Sequence, residues 1–291
     1  MTTISHAFPD IRSLVAAWLA EDIGRGDVTT NSVVPADSLG QAHIEAREPC
    51  TVAGMAAAAL CFELTSERFD GTLEFKQVVG DGGRVEVGDV LARIEGPLAP
   101  ILTAERTALN LLARLCGVAT ITRRYVVAVD GTKARIVDTR KTTPGLRSLQ
   151  KYAVAVGGGS NHRFGLDDGV LIKDNHLVAA GGVAEALARA RAGASHGLRI
   201  EVEVASLTEL QEALEAGSEA ILLDNMAPET VAEAVRVNGG RALLEVSGGI
   251  NLDTVRSYAL TGVDLISVGA LTHSAPSIDL ALELIASELE E

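Results

Sequence analysis

Residues 138–176, DTRKTTPGLRSLQKYAVAVGGGSNHRFGLDDGVLIKDNH, follow directly on a short apolar run, Arg135–Val137. They contain a helical pattern at Leu146–Val156 and a second strand-like run at Val170–Ile172. A strand, a helix and another strand in this order are typical of a right-handed crossover between parallel strands. The segment therefore indicates an α/β protein.

The same alternation continues to residue 268. The strand-like runs are Arg135–Val137, Val170–Ile172, Arg199–Val204, Ala220–Leu223, Ala242–Val246 and Leu265–Val268, and the helical runs are Leu146–Val156, Val183–Ala192, Leu207–Ala216, Pro228–Asn238 and Leu252–Leu260. Hydrophobic residues make up 47% of the chain and aromatic residues only 3%, which suits buried parallel strands of small aliphatic side chains. Because six strands are too few for a closed eight-stranded barrel, we expect an open, incomplete α/β barrel.

Upstream, the pattern changes to an α/β sandwich-like layer. Strand patterns lie at Gln41–Glu48, Leu73–Val79 and Arg84–Ile94, and helical patterns lie at Ile11–Leu19, Ala53–Leu64 and Thr103–Val129. Asp10 is a candidate N-cap, residues 21–30 (EDIGRGDVTT) suggest a loop with solvated charges, and Gly117 suggests a helix break. We therefore expect an N-terminal domain over residues 1–117, a barrel domain over 118–275, and a C-terminal helix over 276–291 that packs back on the first domain.

Charge separates the 138–176 segment from the rest of the protein. Its basic side chains are Arg140, Lys141, Arg147, Lys151, His162, Arg163, Lys173 and His176, and a Gly157–Gly159 run interrupts them. The formal net charge is −14, yet residues 135–176 hold seven Lys/Arg against four Asp/Glu, which leaves 18 against 35 elsewhere. A basic island in an acidic chain predicts a small anionic ligand and argues against nucleic acid or an anionic membrane as partner.

The cysteines and the N-terminus bear on the compartment. Cys50, Cys61 and Cys116 are unevenly spaced in apolar surroundings, which favours reduced, buried thiols over metal ligands. The N-terminus lacks the pattern of a targeting peptide, and no apolar run reaches membrane-spanning length. We expect a soluble cytoplasmic protein.

Each predicted barrel strand ends in polar or glycine-rich residues. In an α/β barrel the loops after the strands form the active site. These strand ends are Asp138–Lys141, Lys173–His176, Glu201/Glu203, Asp224–Asn225, Ser247–Gly249 and Val268–Gly269. The two glycine-rich ends suit phosphate, because small residues let backbone N–H groups approach an anion closely; tight turns are the alternative explanation.

The carboxylates predict a metal site. Glu203 and Asp224 end neighbouring strands, and such a pair suits Mg2+ bridging to phosphate oxygens. The alternation of EVEV puts Glu201 and Glu203 on the same side and does not choose between them. Arg140, Arg163 and Lys173 exceed what one phosphate needs, so a second, carboxylated ligand is predicted.

Several motifs together resemble the quinolinate phosphoribosyltransferase family, a type II phosphoribosyltransferase family. They are EDIGRGDVTT (21–30), LTAERTALNLLARLCGVAT (102–120), the whole 138–176 segment, EVEV (201–204), LLDNM (222–226), EVSGGI (245–250) and VGALTHSAP (268–276). The resemblance implies transfer of the phosphoribosyl group of phosphoribosyl pyrophosphate to quinolinate with decarboxylation, a step of NAD biosynthesis. It also implies a barrel of about seven strands, one more than the pattern predicts, and a homodimer.

The resemblance also implies roles for residues. Quinolinate's carboxylates would be held by Arg140, His162, Arg163 and Lys173, and by Arg106 from the partner subunit, which spacing alone would leave as a solvated helix arginine. Phosphoribosyl pyrophosphate and Mg2+ would be served by Lys141, Glu203 and Asp224, and the 5′-phosphate would lie on Ser247, Gly248, Gly249 and Gly269. Thr139 and Val268 adjoin these groups and are included in the predicted site.

Two other functions compete with this interpretation. A relative of the same fold could act on another carboxylated pyridine. The sequence of Arg84–Ile94, RVEVGDVLARI, is similar to that of biotinyl- and lipoyl-type modules, but it has no lysine to carry the cofactor. The carrier function is therefore disfavoured.

Overall fold

The computed structural model describes residues 11–69 and 72–285. They form two compact units. The first unit comprises the described parts of Met1–Ile121, Ser148–Gly157 and Ala275–Glu291, and the second comprises Thr122–Arg147 and Gly158–Ser274. Asp10, the candidate N-cap, lies outside the described residues.

The amino-terminal elements alternate between short helices and strands. They are α1 (Ile11–Ile23), α2 (Val28–Val33), β1 (Leu39–Ala46), β2 (Cys50–Thr51), α3 (Met55–Ser66), β3 (Glu74–Gln77), β4 (Arg84–Val85), β5 (Val90–Pro97) and α4 (Leu98–Ala128). The predicted helices and strands of this region are all present.

The carboxyl-terminal elements follow the predicted alternation. They are β6 (Arg135–Val137), α5 (Arg147–Val156), β7 (Val170–Ile172), α6 (Asp174–Ala180), α7 (Val183–Gly193), β8 (Ile200–Val204), α8 (Leu207–Glu215), β9 (Ala220–Asp224), α9 (Pro228–Asn238), β10 (Leu243–Ser247), α10 (Val255–Leu260), β11 (Leu265–Ser267), α11 (Ala270–His273) and β12 (Leu280–Ile285). Helices α2, α6 and α11 and strands β2 and β12 were not predicted from the sequence.

The second unit is built on a parallel sheet with the strand order β6-β11-β10-β9-β8-β7. These are the six strands predicted from the pattern, so the open α/β architecture is confirmed, with β6 and β7 as its two edges. In place of a regular seventh strand, the described residues show one parallel bridge, between Val137 and Ser160. The carboxyl ends of all six strands lie on one side, because parallel strands run in one direction.

The first unit contains an antiparallel sheet in the order β12-β1-β5-β3, with β2 and β4 paired separately. Strand β12 corrects the predicted C-terminal helix over 276–291: residues Leu280–Ile285 pair with Ala46–Gln41 of β1. The sequence LALELI is rich in good helix formers, but backbone pairing with β1 outweighs that local preference. Residues 286–291 of the predicted helix lie outside the described residues.

Helix α4 corrects the predicted break at Gly117, because it runs without interruption from Leu98 to Ala128. A side chain at this position would collide with the following segment: a Cβ on Gly117 would lie 1.8 Å from the carbonyl oxygen of Pro276. The same segment is bound to α4 by a hydrogen bond of 3.0 Å from the Ile278 amide to the Ala113 carbonyl. Gly117 therefore serves close packing and does not end the helix.

The segment 21–30 is only partly a loop, since α2 begins at Val28. Asp27 is its N-cap and accepts hydrogen bonds from the Thr30 amide at 2.9 Å and from the Thr103 hydroxyl at 3.2 Å. Hydrogen bonds from the hydroxyl and amide of Thr30 hold the pKa of Asp27 below its usual value. The prediction that these charges are merely solvated is wrong for Asp27.

Among the described helices, none combines the length and the apolar character that crossing a membrane requires.

Candidate active site

A cavity of about 530 Å³ opens at the carboxyl ends of the parallel strands in the second unit. Thirteen of the fourteen residues predicted for the site line it: Thr139, Arg140, Lys141, His162, Arg163, Lys173, Glu203, Asp224, Ser247, Gly248, Gly249, Val268 and Gly269. The residues at the ends of the strands therefore lie around one cavity, as predicted.

Asp138, directly after β6, is a buried carboxylate that holds the segment carrying two of the cavity residues. Its side chain is completely buried and accepts hydrogen bonds from the Asn161 amide group at 2.6 Å and from the His162 backbone N–H at 2.9 Å. A buried carboxylate is stable only when such donors replace water. Asp138 therefore ties the segment that carries His162 and Arg163 to the edge of the sheet.

Two arginines lie close together in the cavity wall. The Nε atoms of Arg140 and Arg163 are buried, and within the described part of the chain neither has a hydrogen-bond partner. Burial lowers the pKa of Arg163, and the neighbouring charge of Arg140 lowers it further. One Nη of Arg163 is held by the Gly169 carbonyl at 2.7 Å. Unsatisfied donors on two adjacent cations form a site for an anion with several oxygen atoms.

Two carboxylates also line the cavity. Glu203 accepts a hydrogen bond of 2.9 Å from the Lys173 ammonium group. Asp224, at the end of the adjacent strand β9, accepts one of 2.7 Å from the Asn225 side chain. Two carboxylates on neighbouring strands are a donor set that suits a hard cation such as Mg2+, with ligand oxygens and water completing its coordination.

The glycine-rich ends of β10 and β11 keep space open beside these groups. Gly248 has a φ of +104°, and a Cβ there would lie 2.2 Å from the Oδ1 atom of Asn225. At Gly269, a Cβ would lie 3.1 Å from the Lys141 side chain. The backbone of Lys141 is held from the same side, since its carbonyl accepts the Thr272 hydroxyl at 2.8 Å. At Gly248 only glycine combines the positive φ and the close approach without strain.

The floor of the cavity is a cluster that sequence analysis found only in part. The Nε2 atom of His162 lies 3.1 Å from a carboxylate oxygen of Glu201 and 3.8 Å from one of Glu245. Burial, and then the charge of Glu201, raises the pKa of Glu245 to about 8. Glu245 is two residues before Ser247 on β10, so strand alternation alone would have placed it inside the barrel.

The structure also separates the two acids of the EVEV motif. Glu203 lines the main cavity, whereas Glu201 lines a second cavity of about 260 Å³ that shares His162, Arg163 and Glu245 with it. Both side chains face the interior, as the alternation predicts, but only Glu203 lies at the level of Lys173 and Asp224. Geometry thus makes the distinction that the motif leaves open.

Arg106 is the predicted site residue that lies elsewhere. It belongs to helix α4, in the part that falls in the first unit, and is not among the described residues that line the cavity. Its side chain is 63% exposed, and its nearest ion-pair contact is Glu105 at 3.6 Å. It would be available to a second molecule.

Two family models match the chain. Residues 27–116 match the model of the quinolinate phosphoribosyl transferase N-terminal domain, and residues 118–283 match that of the C-terminal domain. The chain belongs to the quinolinate phosphoribosyltransferase family.

Individual members of this family are similar over nearly the full length. The nicotinate-nucleotide pyrophosphorylase (carboxylating) of Mycobacterium leprae is 46% identical over 283 residues, which cover 95% of this chain and 98% of that protein. The probable enzyme of the same name from Bacillus subtilis is 43% identical over 277 residues, 95% and 94% of the two chains. The solved structure of nicotinate-nucleotide pyrophosphorylase from Francisella tularensis has a TM-score of 0.90 at 38% identity, covering 95% of this chain and 96% of that one.

Proposed function

We propose that this protein transfers the phosphoribosyl group of phosphoribosyl pyrophosphate to quinolinate with decarboxylation, giving nicotinate mononucleotide, pyrophosphate and CO2. This makes it a pentosyltransferase of NAD biosynthesis. The observation that supports it best is one cavity in which Arg140, Arg163 and Lys173 face a wall of carboxylates and glycine-rich strand ends. Membership of the family and the names of its similar members support the same reaction.

The cationic wall is the proposed acceptor site. Quinolinate carries two adjacent carboxylates, and the buried Nε donors of Arg140 and Arg163 have no other hydrogen-bond partner among the described residues. When a carboxylate oxygen of the ligand accepts a hydrogen bond from one of these donors, the free-energy cost of a buried, unpaired donor is removed. Lys173 would reach the same ligand from β7 by exchanging its contact with Glu203.

The glycine-rich wall is the proposed donor site. The 5′-phosphate would lie on Ser247, Gly248, Gly249 and Gly269, where backbone N–H groups can approach without obstruction. Lys141 would face the pyrophosphate, with its backbone fixed through Thr139 and Thr272. Glu203 and Asp224 would hold Mg2+, which when bound supplies positive charge to the pyrophosphate.

The reaction then needs positioning and charge, without a covalent enzyme intermediate. The C1–O bond of the donor breaks and its electron pair leaves with pyrophosphate, whose charge Lys141 stabilises. The ring nitrogen of quinolinate provides the electron pair of the new C1–N bond. The C2 carboxyl group is lost as CO2, and carbon 2 takes up one proton in its place. Arg140 and Arg163 hold the remaining carboxylate throughout.

We also propose that the enzyme is a homodimer in which Arg106 of one subunit completes the acceptor site of the other. Supporting this are the high exposure of Arg106 and its place outside the cavity of its own described chain. The cytoplasm is the proposed location, supported by three free, buried cysteines, Cys50, Cys61 and Cys116.

The direct test is release of labelled CO2 from quinolinate carrying the label in its 2-carboxyl group. Release should require phosphoribosyl pyrophosphate and Mg2+, and pyrophosphate should appear in equal amount. Nicotinate as acceptor should give no nucleotide. Transfer to nicotinate or another carboxylated pyridine, with none to quinolinate, would support the alternative acceptor and refute the proposed one.

A further inference from the structure

The two ring nitrogens of His162 are both engaged by groups of the protein. The Nδ1 atom accepts a hydrogen bond of 2.7 Å from the backbone N–H of Arg163. A backbone amide can only donate, so Nδ1 must present its lone pair and the ring proton must sit on Nε2. Nε2 in turn lies 3.1 Å from a carboxylate oxygen of Glu201, which can only accept when ionised. These two contacts define a neutral imidazole of the Nε2–H form.

Two buried acids, Glu201 and Glu245, lie beside the ring of His162. Glu201 is 7% exposed and Glu245 is 1% exposed, and one oxygen of Glu245 has no hydrogen-bond partner among the described residues. Burial raises the pKa of Glu245 well above its ordinary value. Glu201 is the nearer of the two acids to the ring, with a carboxylate oxygen 3.1 Å from Nε2. Asp138 and Arg163 are the other charged groups near this pair.

A metal ion in the same place is disfavoured by the tautomer. His162, Glu201 and Glu245 present ligand atoms within 4.8 Å of one another, as a metal site would. A metal, however, needs the lone pair of Nε2, whereas the Arg163 amide already requires the lone pair of Nδ1. Both can be satisfied only by a ring without any proton. The cluster is therefore better suited to a hydrogen-bonded chain than to a cation.

The series of hydrogen bonds from Glu201 to His162 ends at Arg163, an arginine of the proposed acceptor site. The ring of His162 holds the backbone of Arg163, and the Gly169 carbonyl holds the other end of the same side chain at 2.7 Å. With backbone and guanidinium both anchored, the unpaired Nε of Arg163 has a defined direction. A donor that is already ordered binds an anion without the loss of conformational entropy that ordering on binding would require.

We propose that Glu201 is a positioning residue for acceptor binding: it holds His162 as the neutral Nε2–H imidazole, and His162 in turn holds Arg163. The identity of the acceptor rests on the proposed function, whereas the hydrogen-bonded chain does not. His162 thereby supports a carboxylate-binding arginine.

The tautomer is measured with protein labelled with 15N in its histidine rings. The His162 signals, assigned by their absence in His162→Asn, should report a protonated Nε2 and an unprotonated Nδ1 at pH 7, both without ligand and with quinolinate bound. Glu201→Leu should abolish this single state, and Glu201→Gln should retain it because the amide oxygen can still accept. An imidazolium signal for His162 in the wild-type complex would overturn the proposal.

Kinetics provide the second measurement. Glu201→Leu should raise the KM for quinolinate about 10- to 100-fold, the range expected when a binding group is displaced, and change the KM for phosphoribosyl pyrophosphate far less. Glu201→Gln should fall between Glu201→Leu and wild type. Glu212→Leu, an exposed position on α8, is the control for loss of a carboxylate and should behave as wild type.

The outcomes separate the two proposals. A wild-type enzyme that releases no CO2 from quinolinate refutes the proposed function, and the ring spectra then still decide the hydrogen-bonded chain. An active enzyme whose KM for quinolinate is unchanged in a folded Glu201→Leu protein refutes the role of Glu201. If Glu201→Leu does not fold, the wild-type tautomer with and without quinolinate decides the question.

Discussion

Lys173 forms an ion pair with Glu203 and is also proposed to bind quinolinate. Its ammonium group lies 2.9 Å from Glu203, in a side chain that is 48% exposed, so it is paired but accessible. Lys173→Ala should raise the KM for quinolinate about 10- to 100-fold, since a hydrogen bond to a charged group contributes about 1.5–3 kcal/mol. Steady-state kinetics with both substrates would measure this.

The control for Lys173→Ala is Lys76→Ala, which removes the same charge from an exposed position on β3. It should leave both KM values unchanged. Wild-type kinetics in Lys173→Ala would remove Lys173 from the acceptor site.

Glu245 predicts a pH dependence of stability. Its pKa rises from an ordinary value of 4.5 to about 8 in the folded protein. Between these values the folded state keeps a proton that the unfolded state has lost, so stability is full below about pH 4.5 and falls as pH rises towards 8. Glu245→Gln carries no such proton, and its Tm relative to wild type should rise on the order of 5 °C between pH 5 and pH 8.

Thermal unfolding at several pH values measures the effect of Glu245→Gln. Glu212→Gln, an exposed change of the same kind, should show no trend with pH relative to wild type. A constant difference between Glu245→Gln and wild type would mean that Glu245 is ionised in the folded protein.

At the scale of elements, helix α4 yields a prediction about Gly117. Because a Cβ would lie 1.8 Å from the Pro276 carbonyl, Gly117→Ala forces the segment before β12 away from the helix. Overpacking of this kind typically costs about 1–3 kcal/mol, and Tm should fall accordingly. Gly193→Ala is the matched control, since a Cβ there meets nothing within 4 Å. Equal Tm values for the two variants would contradict the close packing.

The elements that were predicted correctly share a simple origin. The six parallel strands are apolar runs separated by periodic helices, and the same burial that makes them apolar makes them visible in the sequence. Strand β12 and the continuity of α4 depend on pairing with β1 and on the approach of Pro276, which are partners distant in the chain. Helix α6, with seven residues and none of them buried, presents no apolar stripe to detect.

The residues of the candidate site also fall into those that the sequence predicted and those that it did not. Cations and glycines after a strand were predicted because position and chemistry coincide there. Alternation with Ser247 would have placed Glu245 on the inner side of its strand, but its contacts with His162 and Glu201 could not be predicted, because these residues come from other parts of the chain. The choice between Glu201 and Glu203 likewise depended on depth within the barrel, which alternation does not encode.

At the scale of the whole molecule, the proposed dimer predicts complementation. Arg106→Ala and Lys141→Ala should each be inactive alone. Mixed in equal amounts and allowed to exchange subunits, they should recover about a quarter of wild-type activity, because half the dimers are mixed and each contains one intact site. Activity of the mixture, with exchange confirmed by mass spectrometry, is the measurement. No recovery despite exchange would place Arg106 outside the partner's site.

The Val137–Ser160 bridge has a consequence for how such an enzyme can change. His162 and Arg163 follow this bridge, and a hydrogen bond from the His162 amide to the buried side chain of Asp138 attaches them to the sheet edge. Ser247 and Gly269, in contrast, follow interior strands. The proposed acceptor contacts His162 and Arg163 thus belong to a peripheral segment, whereas the proposed phosphate contacts Ser247 and Gly269 belong to the centre of the sheet. Substitutions near residue 160 can therefore alter the proposed acceptor contacts without touching the interior strands that carry Glu203, Asp224, Ser247 and Gly269.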